Sequence, residues 1–476
     1  MEMSLLANKE KSIPAHVFRE YDIRGRAGEE ITPSFSRLLG RAFGEKSAEA
    51  GSRTVIVGHD NRLSSPQLHQ AAISGLLQSG CDVIDIGEVT TPMFYYALEH
   101  FQTPSGVMIT ASHNPGEDNG FKVALDYSTI YGRQIQDLRE RMYRMMDEED
   151  RSDGQHQGSL SSVRREDVER PYLQMLKEKI QLGPRNLKVV VDCGNGTASS
   201  FAPKALRAWG CQVVELYCES DPRFPHHHPD PVDPKNVADL IEKVKAEQAD
   251  IGIAFDGDGD RLGVVDEQGN IRWGDQLMIL FWREILPRYP GCEALVEVKC
   301  SKALIEEIEK LGGRPIFHRT GHSYIKATMR SRGCPFTGEM SGHLFFRDEY
   351  YGFDDALYAA GRLLRILSRT EKELSALFAD VPRYFSTPET RVSCDEREKA
   401  EIISKVKAYF AGSHEIVDVD GVRVLFPDGW GLVRSSNTQP ILVLRAEAET
   451  EAGLARIKSE VERALTAASR ELRVAW

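Results

Sequence analysis

Three times along the chain, a short run of β-branched apolar residues gives way to a helix-patterned stretch and then to another apolar run. In the first, residues 54–57 (TVIV) are followed by a helical pattern at 67–78 and by further runs at 83–86 and 107–110. The second passes from 189–192 through helical stretches at 203–209 and 237–247 to 251–255. The third runs from 294–298 through 302–311 to 315–317. This alternation is how βαβ units read, and it places the chain in the α/β class. Beyond about residue 382 the pattern changes. Strand-like runs at 431–434 and 441–446 lead into a helix at 451–465, which predicts a separate α+β domain. A chain of 476 residues is too long for one core and predicts three or four domains of about 150 residues each. Breaks in the polar segment 147–162, near 269 and at 382–388 predict domains at 1–165, 166–269, 270–383 and 384–476.

Composition removes several classes of function. The longest apolar runs fall short of the ~18 residues that would predict a membrane span. The N-terminus has no basic segment followed by an apolar core and cleavage site, so the cytoplasm is the expected compartment. The eight cysteines form no Cys-x-x-Cys pair, which predicts reduced thiols rather than a zinc site or a disulfide framework. A formal net charge of −12 argues against nucleic acid as a partner. Small phosphorylated ligands stay open, because local arginines, lysines and backbone N–H groups suffice to hold them.

Four segments carry chemistry. In Thr110-Ala111-Ser112-His113-Asn114-Pro115, Ser112 stands where a predicted strand ends in a loop, and Pro115 prevents simple helical continuation. A serine there can carry a phosphoryl group in a two-step transfer, or it can be a turn serine beside an Asn-Pro turn. In Asp256-Gly257-Asp258-Gly259-Asp260-Arg261, three carboxylates alternate with glycines after the run at 251–255. Alternate residues of an extended loop face one side, so three hard oxygen ligands can converge on Mg²⁺. An EF-hand fits less well: its sixth position, normally glycine, is Arg261, and a strand pattern precedes the loop. Gly338-Glu339-Met340-Ser341-Gly342-His343 offers acceptor, hydroxyl and imidazole groups suited to sugar hydroxyls, or forms an ordinary turn. Arg434-Ser435-Ser436-Asn437-Thr438 makes an anion cradle or a Ser/Asn-rich hairpin turn.

Together, in order and at these separations, the four segments resemble the α-D-phosphohexomutase family, most closely its phosphomannomutase/phosphoglucomutase branch. The resemblance extends over nearly the whole chain through FREYDIRG (18–25), VGHDNRLSS (57–65), NGFK (119–122), VEVKCS (296–301) and RTGHSYIK (319–326). One departure is His59, where many members have arginine, and it bears only on a local interaction of that loop. The run His226-His227-His228 lies among prolines and is expected to be a structural loop.

The resemblance implies three related α/β domains with mixed sheets plus a C-terminal α+β domain around a central cleft. It implies a phosphoserine at Ser112, with Asp256, Asp258, Asp260 and a phosphoserine oxygen holding Mg²⁺. Glu339 and Ser341 would read hexose hydroxyls. Arg434, Ser436, Asn437 and Thr438 would hold the phosphate that is not reacting. Arg24, in the cleft, would be catalytic beside Ser112, Lys122 and His343 would be the candidates for proton transfer, and Arg19, Tyr21, Arg261, Lys299 and His322 would be further cleft residues. The implied reaction interconverts the 1- and 6-phosphates of mannose or glucose through a hexose 1,6-bisphosphate, which also serves as activator. Its partners are small sugar phosphates rather than membranes or nucleic acid. The alternatives are a strict phosphoglucomutase, a phosphoglucosamine mutase, a phosphohydrolase using the same serine and metal, and a non-catalytic sugar-phosphate sensor.

Overall fold

The computed structural model describes residues 13–149, 161–436, 439–469 and 471–476. The break predicted at 147–162 therefore falls mostly outside the described residues. The chain divides into two compact units: residues up to 273 with 341–344 and 353–375, and residues 274–340, 345–352 and 376–476.

The first unit holds two mixed sheets. The larger contains β1 (Ile23–Arg26), β2 (Thr54–His59), β3 (Asp82–Glu88), β4 (Gly106–Ile109), β5 (Asp118–Leu125), β6 (Ser128–Thr129) and β7 (Val163–Arg165), ordered β1-β5-β4-β2-β3-β7 with β6 beside β5. Parallel pairing joins β2 to β3 and β4, whereas β5 runs antiparallel to β1 and β4. The interior of β2 is buried throughout, as its unbroken TVIV run requires. Two covering helices, Pro33–Glu49 and Ser65–Gln78, lie almost backbone to backbone. A Cβ at Gly75 would stand 1.9 Å from Arg37 O, so this approach needs the glycine.

The second sheet contains β8 (Lys188–Asp192), β9 (Gln212–Leu216), β10 (Ile251–Phe255), β11 (Leu262–Asp266) and β12 (Ile271–Arg272), ordered β12-β11-β10-β8-β9. β10 is parallel to β8 and antiparallel to β11, pairing Phe255 with Leu262. The Asp-Gly repeat is thus a hairpin loop. The loop carrying Ser112 likewise joins antiparallel neighbours, β4 and β5.

In the second unit, strands Glu293–Glu297 and Arg314–His318 pair in parallel, and helices Lys302–Lys310 and His322–Arg332 follow them in turn. The C-terminal sheet is antiparallel, with Ile441–Ala448 and Gly429–Ser435 at its centre. Its buried face packs on Val406 and Phe410 of helix Lys399–Phe410 and on Ile457 and Val461 of helix Glu451–Ala468. Each such side chain contributes about 1.5–3 kcal/mol by leaving water. Among the described residues no helix is long and apolar enough to cross a membrane.

Candidate active site

In the first unit the β4–β5 loop meets the β10–β11 loop at Ser112. The serine is buried and left-handed, φ 53°, a conformation that costs a non-glycine residue free energy and persists only where surrounding contacts impose it. Those contacts are visible. Its N–H donates to Thr110 Oγ1 (2.9 Å), and its carbonyl accepts from Arg62 Nη2 (2.7 Å). Arg62 also donates to the carbonyls of Asn114 (2.7 Å) and Asp118 (2.9 Å). From β1, Arg24 donates to Ala111 O (3.1 Å) and Asn114 Oδ1 (2.9 Å) and pairs with Asp22 (2.7 Å). Two guanidinium groups therefore fix the loop, and the serine hydroxyl donates to Asp256 Oδ2 at 2.8 Å.

Asp256, Asp258 and Asp260 are fully buried, with ligand atoms all within 4.8 Å of one another. Asp256 uses Oδ1 to accept the backbone N–H groups of Asp260 and Arg261, both at 3.0 Å, so it shapes its own loop. Asp258 Oδ2 accepts from Lys122 Nζ (2.7 Å), Thr91 Oγ1 (2.6 Å) and Thr110 Oγ1 (3.2 Å). Lys122 Nζ also donates to Asp260 Oδ2. The Oδ1 atoms of Asp258 and Asp260 are buried without a hydrogen-bond partner.

The charges are correspondingly perturbed. Burial, with repulsion from Asp260 and Asp258, pushes the Asp256 carboxyl well above its ordinary range. Burial acts the same way on Asp258, but the Lys122 ammonium outweighs it and holds that carboxyl low. Lys122 in turn stays protonated despite burial because Asp258 and Asp260 flank it. With the Arg261 guanidinium 4.0 Å from Asp256 Oδ2, two cationic groups face three carboxylates. Two unpartnered hard oxygens beside a third carboxylate and a serine hydroxyl fit a divalent cation such as Mg²⁺.

The loops touch closely enough to specify Gly257. A Cβ there would lie 2.4 Å from Ser112 O, a carbonyl that Arg62 prevents from moving aside. Gly257→Ala is expected to fold but to part the two loops, lowering kcat by ~10²-fold, the cost of roughly 1 Å of misplacement. Steady-state kinetics beside a thermal melt checks this, and kcat unchanged in a folded variant would contradict it.

His343 and Arg261 also meet in this unit. His343 Nε2 accepts from Arg261 Nε (2.9 Å), which leaves the ring proton on Nδ1. Nδ1 lies 3.0 Å from Asp354 Oδ2 and 3.5 Å from Asp260 Oδ1. Arg19 and Tyr21 sit in the turn that brings Phe18 to Ile23, and Ser341 is half-buried.

The other sequence-predicted residues belong to the second unit. Glu339 is buried and accepts from Gly321 N (2.7 Å). Lys299 pairs with Glu297 (3.2 Å) and Glu389 (3.1 Å), and its ammonium holds Glu389 down at about 2. Arg434 Nε donates to Asp420 Oδ2 (2.9 Å), which also accepts from Thr320 N (3.0 Å). His322 is buried at the start of its helix, and Ser436 N–H donates to Ile441 O (3.0 Å). Asn437 and Thr438 lie outside the described residues.

Four family models match in chain order. They are phosphoglucomutase/phosphomannomutase alpha/beta/alpha domain I over residues 15–148, domain II over 170–269, domain III over 273–385, and the C-terminal domain over 389–464. The chain belongs to the phosphoglucomutase/phosphomannomutase family. It is an enzyme of that family's isomerase class, with the four-part α/β architecture the family implies. A phosphomannomutase/phosphoglucomutase of Pseudomonas aeruginosa is 45% identical over 467 residues, 98% of this chain and 99% of the relative. A phosphoglucomutase of Neisseria gonorrhoeae is 43% identical over 451 residues, 94% and 96% of the two chains. The crystal structure of a phosphoglucomutase/phosphomannomutase family protein from Burkholderia thailandensis superposes with a TM-score of 0.90 at 42% identity, covering 98% of this chain and 100% of the other.

In each unit, residues that fix the sequence-predicted side chains have little signal of their own in the sequence. Arg62, His113, Glu297 and Thr320 lie inside quoted motifs, and that membership was their only signal. Burial, with the guanidinium groups of Arg261 and Arg24, pushes the His113 imidazole well below its ordinary range, so a neutral ring stands 3.3 Å from Ser112 Oγ. Thr91, Asp354, Glu389 and Asp420 carry no motif signal at all.

Proposed function

We propose that this chain interconverts the 1- and 6-phosphates of glucose and of mannose through phospho-Ser112 and a hexose 1,6-bisphosphate. The observation that carries the reading is the strained, buried Ser112, whose hydroxyl donates to Asp256 beside two carboxylate oxygens without partners. Phospho-Ser112 donates to the free hydroxyl of the sugar phosphate. The bisphosphate turns over, and Ser112 recovers its phosphoryl group from the other position. Asp256, Asp258 and Asp260 with a phosphoserine oxygen would hold Mg²⁺, which supplies neutralisation of phosphoryl charge when bound.

Arg62 and Arg24 keep the serine in line by fixing its loop. Lys122 holds its proton between Asp258 and Asp260, which suits it to balance charge; it becomes a proton donor only when those carboxylates are drawn to the cation. His343 keeps its ring proton on Nδ1, facing Asp354, and its Nε2 lone pair becomes the acceptor for the sugar hydroxyl proton once Arg261, which holds it here, turns to the substrate's phosphate. Arg19, Tyr21, Arg261, Lys299 and His322 line the substrate's path, and Glu339 and Ser341 read its hydroxyls. We also take the division at 1–165, 166–269, 270–383 and 384–476, the cytoplasmic location and activation by hexose 1,6-bisphosphate as parts of this reading.

Arg434, Ser436, Asn437 and Thr438 take the phosphate that is not reacting. Arg434→Ala therefore loses one charge-assisted contact, roughly 1.5–3 kcal/mol, and should raise KM and release more bisphosphate into solution. Initial rates with bisphosphate quantified in the medium check both effects, and neither appearing would place that phosphate elsewhere.

The hydroxyls assigned to Glu339 and Ser341, at C3 and C4, are alike in glucose and mannose. With no group assigned to C2, kcat/KM for the two 1-phosphates should agree within about tenfold, a gap of ~1.4 kcal/mol. Galactose 1-phosphate, inverted at C4, should be far poorer. Parallel assays at one activator concentration decide. A glucose preference above ~10³ favours a strict phosphoglucomutase, a glucosamine preference the amino-sugar branch, and net release of inorganic phosphate a phosphohydrolase.

A further inference from the structure

Two thiols outside this machinery stand together behind it. Cys193 follows β8 directly, and Cys218 lies just past β9, its parallel neighbour, where Asp192 pairs with Leu216. Their sulfur atoms are 3.4 Å apart, with Cys193 buried and Cys218 partly exposed. Neighbouring strands hold Cα atoms at about 5 Å, within the span that a disulfide bridges. Cys193 also opens a loop that braces the active site. Asn195 O accepts from Asn61 Nδ2 (2.8 Å), and Thr197 Oγ1 accepts from Asn61 N (3.1 Å). Thr197 N–H donates to the carbonyl of Gly257 (3.0 Å), the residue packed on Ser112.

We propose that Cys193 and Cys218 form a redox modification site, closed to a disulfide by peroxide, which slows the phosphoryl transfer proposed above by displacing the 193–197 loop from Gly257. The Cys218 thiolate attacks a peroxide oxygen. The O–O bond breaks, and hydroxide leaves to take up the proton that Cys218 gave up. The resulting sulfenic acid is attacked by Cys193 sulfur, the S–O bond breaks, and water departs with the Cys193 proton. Two thiols and one peroxide give one disulfide and two waters, with two electrons passing from sulfur to oxygen. Burial and the adjacent Cys218 push the Cys193 thiol well above its ordinary range, in keeping with Cys218 reacting first.

The test treats the full chain with hydrogen peroxide and maps its peptides after alkylating the remaining thiols. A cross-linked Cys193–Cys218 peptide is expected, with activity down by ~10-fold or more and restored by dithiothreitol. Cys218→Ser, with basal activity kept, should neither cross-link nor lose activity at the same dose. If that variant folds poorly, the wild-type peptide map and rescue alone decide. Absence of the cross-link, a cross-link with full activity, or equal inactivation of a folded Cys218→Ser overturns the proposal. Because each reading is relative to untreated protein, it fails separately from the mutase assignment, which would fail in the untreated assay.

Discussion

Ser112→Ala is expected to fold normally and to lose at least ~10³-fold in kcat, the loss that follows removal of a covalent nucleophile. The substitution deletes one atom. The contacts that fix the loop run through the backbone of residue 112 and through Arg62, Arg24 and Thr110, and none of them uses the serine hydroxyl. Alanine tolerates a left-handed φ about as poorly as serine, so no new strain enters. Asp256 Oδ2 loses a donor but keeps its place through Oδ1, which accepts two backbone N–H groups. A melting temperature close to wild type beside a silent mutase assay would separate lost chemistry from lost structure. Substantial turnover by a folded Ser112→Ala would remove the serine from the mechanism.

Stripping divalent metal should silence the wild type, and Mg²⁺ should restore it. Asp258→Asn should weaken Mg²⁺ binding and cost ~10²-fold or more in kcat, the scale of removing one preorganised electrostatic group. The expectation rests on the two carboxylate oxygens left without partners where Lys122 and Arg261 face three carboxylates. Water cannot stabilise charge there, so a cation that binds the folded state should also raise its melting temperature. Asp258→Asn removes a donor oxygen and weakens the contact with Lys122, so its melt should respond less to Mg²⁺. Full activity in excess chelator, or a melt indifferent to Mg²⁺, would contradict the acidic loop's role.

The sequence made some of this plain for physical reasons. Alternating Asp and Gly after an apolar run can do little else than present three carboxylates from a tight loop, and the loop indeed follows β10. What it could not carry is contact between distant segments. Gly257 is legible as a residue without Cβ bulk, yet the atom it yields to, Ser112 O, is 145 positions earlier in the chain. His343 reads as an imidazole among small residues, whereas Asp354 faces it only because strand Leu344–Phe346 and the turn beyond it bring residue 354 back. Arg62 looks like one more charged loop residue until the carbonyls of Ser112, Asn114 and Asp118 are seen to converge on it. His59, the departure from the family pattern, bonds Asp60 O (2.7 Å) and packs on His69. The long helix Pro33–Glu49 is faint in the sequence, because its two glycines and three serines blur the apolar stripe that packs it.

In the proposed reaction the phosphoryl group on Ser112 passes to the sugar and not to water. Enzyme labelled with radioactive phosphate at Ser112, mixed with unlabelled glucose 1-phosphate for a single turnover, tests it directly. The label is expected to leave the protein and appear in glucose 6-phosphate, with glucose 1,6-bisphosphate as the transient carrier. Label that stays on Ser112 while product forms, or that emerges as inorganic phosphate, would contradict it.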